Sequence, residues 1–310
     1  MLPIHMRIDS HQHVFWHFRN DADLIADMDA CGVDLAWLLT WEISPAEEDP
    51  SWVRILNPAH LRRDGSHPGV PLSDLLLASS RYPGRFILGY CPHPAVGNAA
   101  ALFESAYHIH RVRVCGEWKF RMAFDDPRCI ALFRKAGELK CPVVLHLDVP
   151  FLADEKTGHP IPQQMWFGGT VEHLERALQM CPETNFIGHA PGFWRYISGD
   201  APSDSQAYPS GPVTPGGEVA RLLDMYPNLY ADLSAGSGLR ALRRDPAHGR
   251  SFVLKYADRL LFGRDYYGSD LLDFLATLDL PPDVADKLYF LNAQRLVPDV
   301  KPNPPPLLRL

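Results

Sequence analysis

The chain has 310 residues, a length that fits either one large α/β barrel or two ordinary domains. Its 46% hydrophobic and 22% charged residues can bury a sizeable core, which excludes a disordered chain. With Lys+Arg 30 against Asp+Glu 37 the net charge is −7, and the basic residues form no stripe, so nucleic acid is not an expected partner.

Short apolar or β-branched runs alternate with amphipathic helical segments that end at Gly or Pro. We predict eight strands at Met6–Asp9, Val33–Thr40, Phe86–Tyr90, Val112–Phe120, Pro142–Leu147, Asn185–His189, Asn228–Leu233 and Arg259–Gly263. Neither a linker nor a change in composition divides the chain. This alternation is typical of an α/β protein with parallel strands, so the sequence predicts a single (β/α)8 TIM barrel over residues 1–297.

Three segments depart from this alternation. Asp154–Gly169 follows the fifth strand, and Ser198–Gly216, rich in Pro, Gly and Ser, follows the sixth. Because the active sites of such barrels are built at the C-terminal ends of strands, we predict that both insertions are lids, with plain surface loops as the alternative. Residues 298–310 are too rich in proline for a helix or sheet, so we predict an extended tail.

Two histidine pairs have the spacing H-x-H. His11 and His13 follow the first predicted strand, and residues two apart in extended backbone face the same side, so both rings can bind one Zn²⁺. The chain contains 14 histidines, so such a pair also arises by chance and its position must decide. His108 and His110 end a helical segment at the barrel face associated with stability, and we predict a surface role for them.

Three more side chains of metal-ligand type stand at the C-terminal ends of predicted strands. His146 ends the fifth strand, His189 ends the sixth, and Asp265 follows the eighth. For any one of them, a hydrogen-bonded core or rim residue is the ordinary interpretation. Together with His11 and His13 they would meet at one end of the barrel, so the sequence predicts a metal site there.

Four segments resemble the first, fifth, sixth and eighth strand motifs of the amidohydrolase superfamily, in its amidohydrolase-2 branch of lactonases and decarboxylases: RIDSHQHVFW, VVLHLD, FIGHAPGFW and LLFGRDYYGSD. The resemblance extends from Arg7 to about Val297, and the first segment is most similar to the lactonases. It implies a divalent metal ion, with Zn²⁺ expected and Mn²⁺ as the alternative. The ligands it implies are His11, His13, His146 and Asp265. It makes His189 either a further ligand or a contact to substrate and water.

The fourth strand, VCGEWKF, places Glu117 and Lys119 on one side and Trp118 on the other. In the wider superfamily this strand can supply a carboxylated lysine or a glutamate that bridges two metals. We expect Glu117 to be an additional metal ligand. Lys119 is expected to anchor a substrate carboxylate or phosphate, or to be a carboxylated ligand. The alternative is an internal Glu117–Lys119 ion pair that fills the barrel mouth.

Aromatic side chains beside these positions could form the wall of a substrate pocket or simply pack at the barrel rim. The candidates for substrate binding are Trp41, Trp194, Arg195 and Tyr266. The guanidiniums nearest to the ligand positions, those of Arg195 and Arg264, could hold a carboxylate. The run Gly236-x-Gly238-x-x-Ala241 superficially matches a dinucleotide fingerprint, but only one strand follows it. That run is either a plain turn or a place for an anionic substrate group.

The function that best fits these residues is metal-dependent hydrolysis of a small carbonyl compound, with a lactone as the expected substrate. The metal would polarise the carbonyl and activate water, and Asp265 would take the proton of that water and pass it to the leaving oxygen. His189 would orient the carbonyl or the water. A non-oxidative decarboxylase of a small unsaturated or aromatic carboxylic acid is the alternative on the same scaffold. A catalytically silent ligand-binding barrel is the third interpretation.

The expected partner is thus a small-molecule substrate, and the sequence leaves open whether the chain forms a homo-oligomer. No basic-then-apolar leader opens the sequence, and no apolar run approaches the roughly 18 residues of a membrane span. We therefore expect a cytoplasmic protein that does not bind a membrane. The six cysteines contain no C-x-x-C pair, which argues against a zinc ribbon or a disulfide framework.

Overall fold

The computed structural model describes residues 6–44, 47, 55–149, 151–153, 157, 159–162, 167–201 and 207–298. Parts of both predicted lids, namely 154–156, 158, 163–166 and 202–206, lie outside the described residues. Residues 299–310 of the predicted tail also lie outside them. The lids and the extended tail therefore stay predictions.

Within the described residues, eight parallel strands follow one another along the chain, each overlapping one of the predicted runs. They are β1 (Ile8–Gln12), β2 (Leu35–Leu38), β3 (Phe86–Leu88), β4 (Cys115–Trp118), β5 (Val143–His146), β6 (Phe186–His189), β7 (Leu229–Asp232) and β8 (Leu260–Leu261). Seven strands lie within their predicted runs, whereas β1 continues to Gln12 where the prediction ended it at Asp9. His11 therefore lies inside the first strand and not beyond it.

The strands close into a TIM barrel, as predicted. Hydrogen-bonded neighbours give the orders β1–β2–β3 and β4–β5–β6–β7–β8. A parallel bridge between Gly89 and Val114 joins β3 to β4. At the other edge, the Ser10 N–H donates to the Phe262 carbonyl at 2.9 Å, which joins β1 to the end of β8. All carboxyl ends of the strands thus face the same end of the barrel.

Helices fill the segments between the strands. Their bounds are Asp21–Ala30, Leu72–Arg81, Ala99–His110, Pro127–Glu138, Val171–Met180, Pro191–Trp194, Glu218–Met225, Ala235–Arg243, Pro246–Lys255, Asp270–Ala276, Pro282–Asp286 and Asn292–Leu296, with single turns at Pro58–His60, Arg195–Ile197 and Lys287–Leu291. A typical start is that of Pro127–Glu138, where the Asp126 carboxylate accepts from the Arg128 N–H and Pro127 needs no partner for its nitrogen. No helix within the described residues is long and apolar enough to cross a membrane.

The barrel encloses a small apolar cluster of its own. The cluster takes inward-facing residues from the strands and the positions next to them, namely Ile8, Leu35, Trp37, Leu39, Ile87, Val114, Val144, Ile187, Tyr230 and Leu261. Ala293, Leu296 and Val297 join the same cluster, so the final helix packs against the barrel interior. The outward faces of the strands pack on the helices in a separate, larger core. The interior is therefore filled, and the polar site must lie at the strand ends.

Two short antiparallel ribbons extend the barrel at its carboxyl end. Trp41–Glu42 pairs with Gly69–Val70, and Phe151–Ala153 pairs with Pro160–Pro162. Gly69 is required in the first ribbon, because its φ is +87° and a Cβ there would lie 1.9 Å from the carbonyl oxygen of Trp41. This ribbon fixes the backbone of Trp41, one of the predicted substrate-binding residues.

Candidate active site

The ends of six barrel strands bring carboxylates and imidazoles together. The group consists of His11 and His13 from β1, Glu117 from β4, His146 from β5, His189 from β6, Asp232 from β7 and Asp265 after β8. All of them except Asp265 are buried, and the Asp265 side chain is 14% exposed. The structure therefore brings together the ligand-type residues that the sequence placed at strand ends.

Two irregular strands turn members of this group inward. Side chains alternate in a regular strand, so His11 would face away from Ile8, and Glu117 away from Val114. Ile8 and Val114 both pack inside the barrel, however, and the pairing register shifts within β1 and within β4. Each shift allows one inner face to carry an apolar residue near the centre and a polar one at the mouth.

The first two histidines are held through their Nδ1 atoms. His11 Nδ1 lies 2.9 Å from Oδ2 of Asp232, and His13 Nδ1 lies 2.8 Å from the carbonyl oxygen of Leu39. Both oxygens can only accept, so each Nδ1 donates a hydrogen. In the neutral rings Nε2 then keeps its lone pair, which is the form in which imidazole binds a metal ion.

His189 is held in the same manner by two oxygens. Its Nδ1 lies 2.9 Å from Oδ1 of Asp232 and 2.7 Å from Oγ of Ser234. The Ser234 hydroxyl donates to Asp232 at 2.5 Å, which uses its only hydrogen, so its oxygen accepts from His189. His189 therefore also carries its hydrogen on Nδ1 and presents Nε2 to the site.

Two carboxylates face the three Nε2 atoms. Glu117 lies 3.4 Å from Nε2 of His13 and 3.8 Å from those of His11 and His189. Asp265 lies 3.5 Å from Nε2 of His13, 3.8 Å from that of His11 and 3.7 Å from that of His189. Two ligands bonded at about 2.1 Å to one tetrahedral ion lie about 3.4 Å apart, so these separations fit donors around a common ion.

Two unsatisfied atoms support this interpretation. Nε2 of His11 and Oδ1 of Asp265 are buried and have no hydrogen-bond partner among the described residues. Leaving such atoms without a partner is costly, and a bound cation would satisfy both. Two overlapping sets within 4.8 Å could hold an ion, one of His11, Glu117 and His189 and one of His11, His13 and Asp265. The residues present thus fit a divalent metal ion.

The carboxylates around His11 also favour a bound cation. Burial by itself lowers the pKa of His11, but the carboxylates of Asp265, Asp232 and Glu117 raise it to about 10. Burial opposes ionisation of Glu117, yet Lys119 and His146 hold its pKa well below the ordinary value. Glu117 therefore stays ionised, and the carboxylates around His11 favour a positive charge at this place.

His146 occupies a different place from the other imidazoles. Its Nδ1 lies 2.6 Å from Oε1 of Glu117, and its Nε2 lies 3.3 Å from Oδ2 of Asp148. Both ring nitrogens thus face carboxylates, and neither possible ion-binding set includes this residue. The structure places His146 beside Glu117, and its role as a direct metal ligand stays a prediction.

Lys119 lies at the open side of the group. Its Nζ is 4.2 Å from the ring centre of Trp41 and 5.8 Å from that of Phe167. Both are cation–π distances. The positive charge of Lys119 also lowers the pKa of Glu117. A cation beside an aromatic wall could receive an anionic group of a flat substrate.

The predicted substrate-binding residues divide into two groups. Tyr266 is 49% exposed, with its ring 4.6 Å from that of His17 at the mouth, and Trp41 contributes the wall beside Lys119. Trp194 and Arg195 are buried, as is Trp41. The Trp194 indole donates to the backbone oxygen of Asp232 at 2.9 Å, so it supports β7 where the sequence suggested a pocket wall.

Two further predictions concerned basic residues. His108 and His110 lie exposed in the last turn of the helix Ala99–His110, which confirms their surface location. Arg264 was a candidate carboxylate anchor, but its guanidinium is buried and binds Asp9 and Asp27, each at 2.7 Å. Its Nε and Nη1 atoms are thus paired with carboxylates of the fold, so Arg264 has a structural role.

The sequence analysis missed Asp232 and Ser234. Asp232 ends β7 in the run LYAD, and the rule that selected His146 and His189, a ligand-type residue at a strand end, would also have selected it. Nothing in the sequence marks the shared contact of Asp232 with two histidines, because it joins residues far apart in the chain.

Comparisons with known proteins agree with this geometry. Residues 8–298 match the model of the amidohydrolase family, whereas a search of curated proteins finds no match. Similar solved structures include an uncharacterised TIM-barrel protein from Bordetella bronchiseptica (TM-score 0.57, 19% identity, covering 89% of this chain and 82% of that one). A Pseudomonas putida protein assigned as a 2-pyrone-4,6-dicarboxylic acid hydrolase has a TM-score of 0.57 at 18% identity (94% and 97% covered). A 2,6-dihydroxybenzoate decarboxylase from Rhizobium has a TM-score of 0.54 at 16% identity (94% and 98%). At these identities the structures show a shared fold.

Proposed function

Because the chain belongs to the amidohydrolase family, whose members are metal-dependent hydrolases or decarboxylases, we propose that it hydrolyses a lactone. The observation that supports hydrolysis is the position of Asp265. Its side chain is 14% exposed, whereas those of Glu117 and Asp232 are 2% and 0% exposed. Asp265 is therefore the carboxylate of the group that an attacking water can reach.

The proposed metal site uses five side chains: His11, His13, Glu117, His189 and Asp265. Imidazole donors favour Zn²⁺, while the two carboxylates also suit Mn²⁺, so Zn²⁺ is proposed with Mn²⁺ as the alternative. A divalent ion held there supplies electrophilic activation of a carbonyl oxygen and makes water more acidic.

The proposed proton acceptor and donor is Asp265. Its buried Oδ1 has no hydrogen-bond partner among the described residues and would bind the metal ion, which leaves Oδ2 to accept the proton of the attacking water. The same carboxyl then returns the proton to the leaving oxygen as the lactone ring opens. His189 presents an Nε2 lone pair because its hydrogen is on Nδ1, so Nε2 can bind the metal ion but cannot donate a hydrogen bond to a carbonyl.

Substrate binding is proposed for the open side of the site. The ammonium group of Lys119 would receive a substrate carboxylate or the negative oxygen that develops during attack. Trp41 and Tyr266 would border a flat ring. Trp194 is not included, because its indole donates to the backbone oxygen of Asp232. The role predicted for Arg195 stays a prediction.

A decarboxylase is the second candidate, and the position of Lys119 is compatible with it. A lysine over an aromatic ring suits an aromatic or unsaturated acid as well as a lactone. In that reaction the carbon–carbon bond to the carboxylate breaks, CO₂ leaves, and a proton donor adds a proton to the ring carbon. Asp265 would then contribute to the site without acting as a base toward water.

The test is product analysis with the Zn²⁺- or Mn²⁺-loaded protein. We expect acid release from at least one member of a panel of sugar lactones and pyrone lactones, and no CO₂ from a panel of hydroxybenzoic and unsaturated acids. His13→Ala, assayed in parallel, should be inactive and excludes a contaminating activity. CO₂ release without lactone opening would establish the decarboxylase, and turnover of neither panel would contradict both enzymes.

A further inference from the structure

A single carboxylate contacts imidazoles that come from opposite parts of the chain. Asp232 Oδ2 lies 2.9 Å from Nδ1 of His11, and Oδ1 lies 2.9 Å from Nδ1 of His189. Each oxygen therefore accepts from a different ring. The centroids of the two rings are 4.3 Å apart, and a ligand atom of each ring lies within 4.8 Å of the other and of a Glu117 oxygen.

The carboxylate has little freedom to rotate. Asp232 is fully buried, and Oδ1 also accepts from the Ser234 hydroxyl at 2.5 Å and from the Ser234 N–H at 3.1 Å. The backbone oxygen of Asp232 accepts from the Trp194 indole at 2.9 Å. Rotation of the carboxylate would break several of these hydrogen bonds at once.

The contact between β7 and β1 crosses the strand that lies between them. β8 separates these two strands, and its extension carries Gly263 at the crossing point. A Cβ at Gly263 would lie 3.0 Å from Oγ of Ser10 and 3.3 Å from Cβ of both His11 and Ser234. Such contacts are tight, so the absence of a side chain at Gly263 keeps this crossing open.

We propose that Asp232 is the positioning residue of the site: it holds His11 and His189 with hydrogen on Nδ1, so that both present Nε2 to the same metal ion. The proposal rests on the metal site of the proposed function and adds the residue that organises it. A carboxylate behind a ligating histidine fixes the orientation of the ring and increases its basicity as a ligand. Here one carboxylate acts on two rings.

Replacing Asp232 with Asn tests whether the carboxylate orients His11 and His189 or only fills space. The carboxamide has nearly the same shape, but it offers one accepting and one donating atom where the carboxylate offers two acceptors. One of the two imidazoles must then accept at Nδ1 and carry its hydrogen on Nε2. That ring can no longer bind a metal ion through Nε2.

The experiment compares Zn²⁺ affinity of metal-free wild type and Asp232→Asn by competition with a chromophoric chelator. We expect a dissociation constant about 10- to 100-fold higher for Asp232→Asn, the usual effect of losing such a partner. The visible spectrum of bound Co²⁺, which reports ligand geometry, should also change. The matched control is Glu47→Gln, since buried Glu47 binds His93 at 3.0 Å away from this group. That control should leave both readouts unchanged.

Ser234→Ala provides a milder second variant. It removes the hydroxyl that donates to Asp232 and accepts from His189, and it should weaken Zn²⁺ binding about 2- to 10-fold. If Asp232→Asn does not fold, unchanged affinity in Ser234→Ala overturns the proposal. Folded Asp232→Asn with the wild-type Zn²⁺ affinity and Co²⁺ spectrum overturns it directly. Metal-free wild type that binds neither ion contradicts the metal site itself, whereas metal binding without lactone turnover contradicts only the proposed reaction.

Discussion

The imidazoles of His11, His13 and His189 are each oriented by a hydrogen bond from Nδ1. The acceptor is a backbone carbonyl for His13 and the Asp232 carboxylate for His11 and His189. The Nε2 atoms face Glu117 and Asp265, which lie beyond ordinary hydrogen-bond length. Removing an imidazole therefore removes a proposed ligand without disturbing the apolar cluster inside the barrel.

The two H-x-H pairs give a matched test. His13→Ala should abolish activity and lower the metal content of the folded protein, because it removes one Nε2 donor. His108→Ala and His110→Ala should keep wild-type activity, since both rings lie exposed at a helix end. The measurements are turnover, metal content and the far-UV circular dichroism spectrum. Full activity in His13→Ala would show that the site is misplaced.

Asp265→Asn tests the proposed base. The amide oxygen can still touch a metal ion but cannot take a proton from water, so kcat should fall by about 10² to 10⁴. Metal affinity should fall much less than kcat. The variant and the wild type are compared at equal metal occupancy on the same lactone. A variant with near wild-type kcat would exclude Asp265 as the base.

For single residues, the sequence predicted which side chains stand at the strand ends but not which side chains form hydrogen bonds with one another. His146, His189 and Asp265 were found by position alone, and Asp232 satisfied the same rule without being selected. The inward turn of His11 depends on a register shift in β1, and a period-two pattern cannot reveal such a shift. Buried Trp194 donates to the backbone of β7, a contact with a residue 38 positions away that its local sequence does not indicate.

At the scale of elements, the eight parallel strands were predictable because each is a short apolar run between helical segments with Gly or Pro at their ends. The ribbon of Trp41–Glu42 with Gly69–Val70 was not predicted. Its strands are two residues long and lie far apart in the chain, so neither carries a periodic pattern. The position of this ribbon matters, because it fixes Trp41 beside Lys119.

Gly69→Ala and Gly65→Ala test the ribbon. Both glycines have a positive φ, +87° and +85°, but only at Gly69 would a Cβ meet backbone, 1.9 Å from the Trp41 oxygen, while Gly65 faces open space. Gly65→Ala should lower the free energy of unfolding by about 1 kcal/mol through its backbone conformation alone. Gly69→Ala should cost about 1–3 kcal/mol more and raise KM, because Trp41 moves. Urea unfolding and steady-state kinetics check both, and equal effects of the two variants would contradict the ribbon contact.

At the scale of the whole molecule, the barrel must close where the end of the chain meets its beginning. Arg264, just after β8, binds Asp9 of β1 and Asp27 of the first helix, each at 2.7 Å. The Arg264 N–H also donates to Asp9 at 2.9 Å. This buried pair joins residues about 250 positions apart in the sequence, so no local pattern could predict it.

Arg264→Ala should therefore destabilise the fold strongly. It leaves Asp9 and Asp27 without their shared cation, and breaking a buried pair in this manner typically costs about 3–5 kcal/mol. Arg221→Ala is the control, because Arg221 is 38% exposed and its pairs with Glu175 and Glu218 should contribute no more than about 1 kcal/mol. Both are measured as the free energy of unfolding in urea. An equally small loss in Arg264→Ala would contradict its role in closing the barrel.

The most direct test of the proposed chemistry is the metal dependence of the wild-type enzyme. The protein is stripped with a chelator, its residual metal is measured by mass spectrometry, and lactone hydrolysis is followed before and after adding Zn²⁺ or Mn²⁺. The unsatisfied His11 Nε2 and Asp265 Oδ1 predict that hydrolysis is lost with the metal and returns when the ion is restored. Full hydrolysis by the metal-free protein would contradict the proposed site.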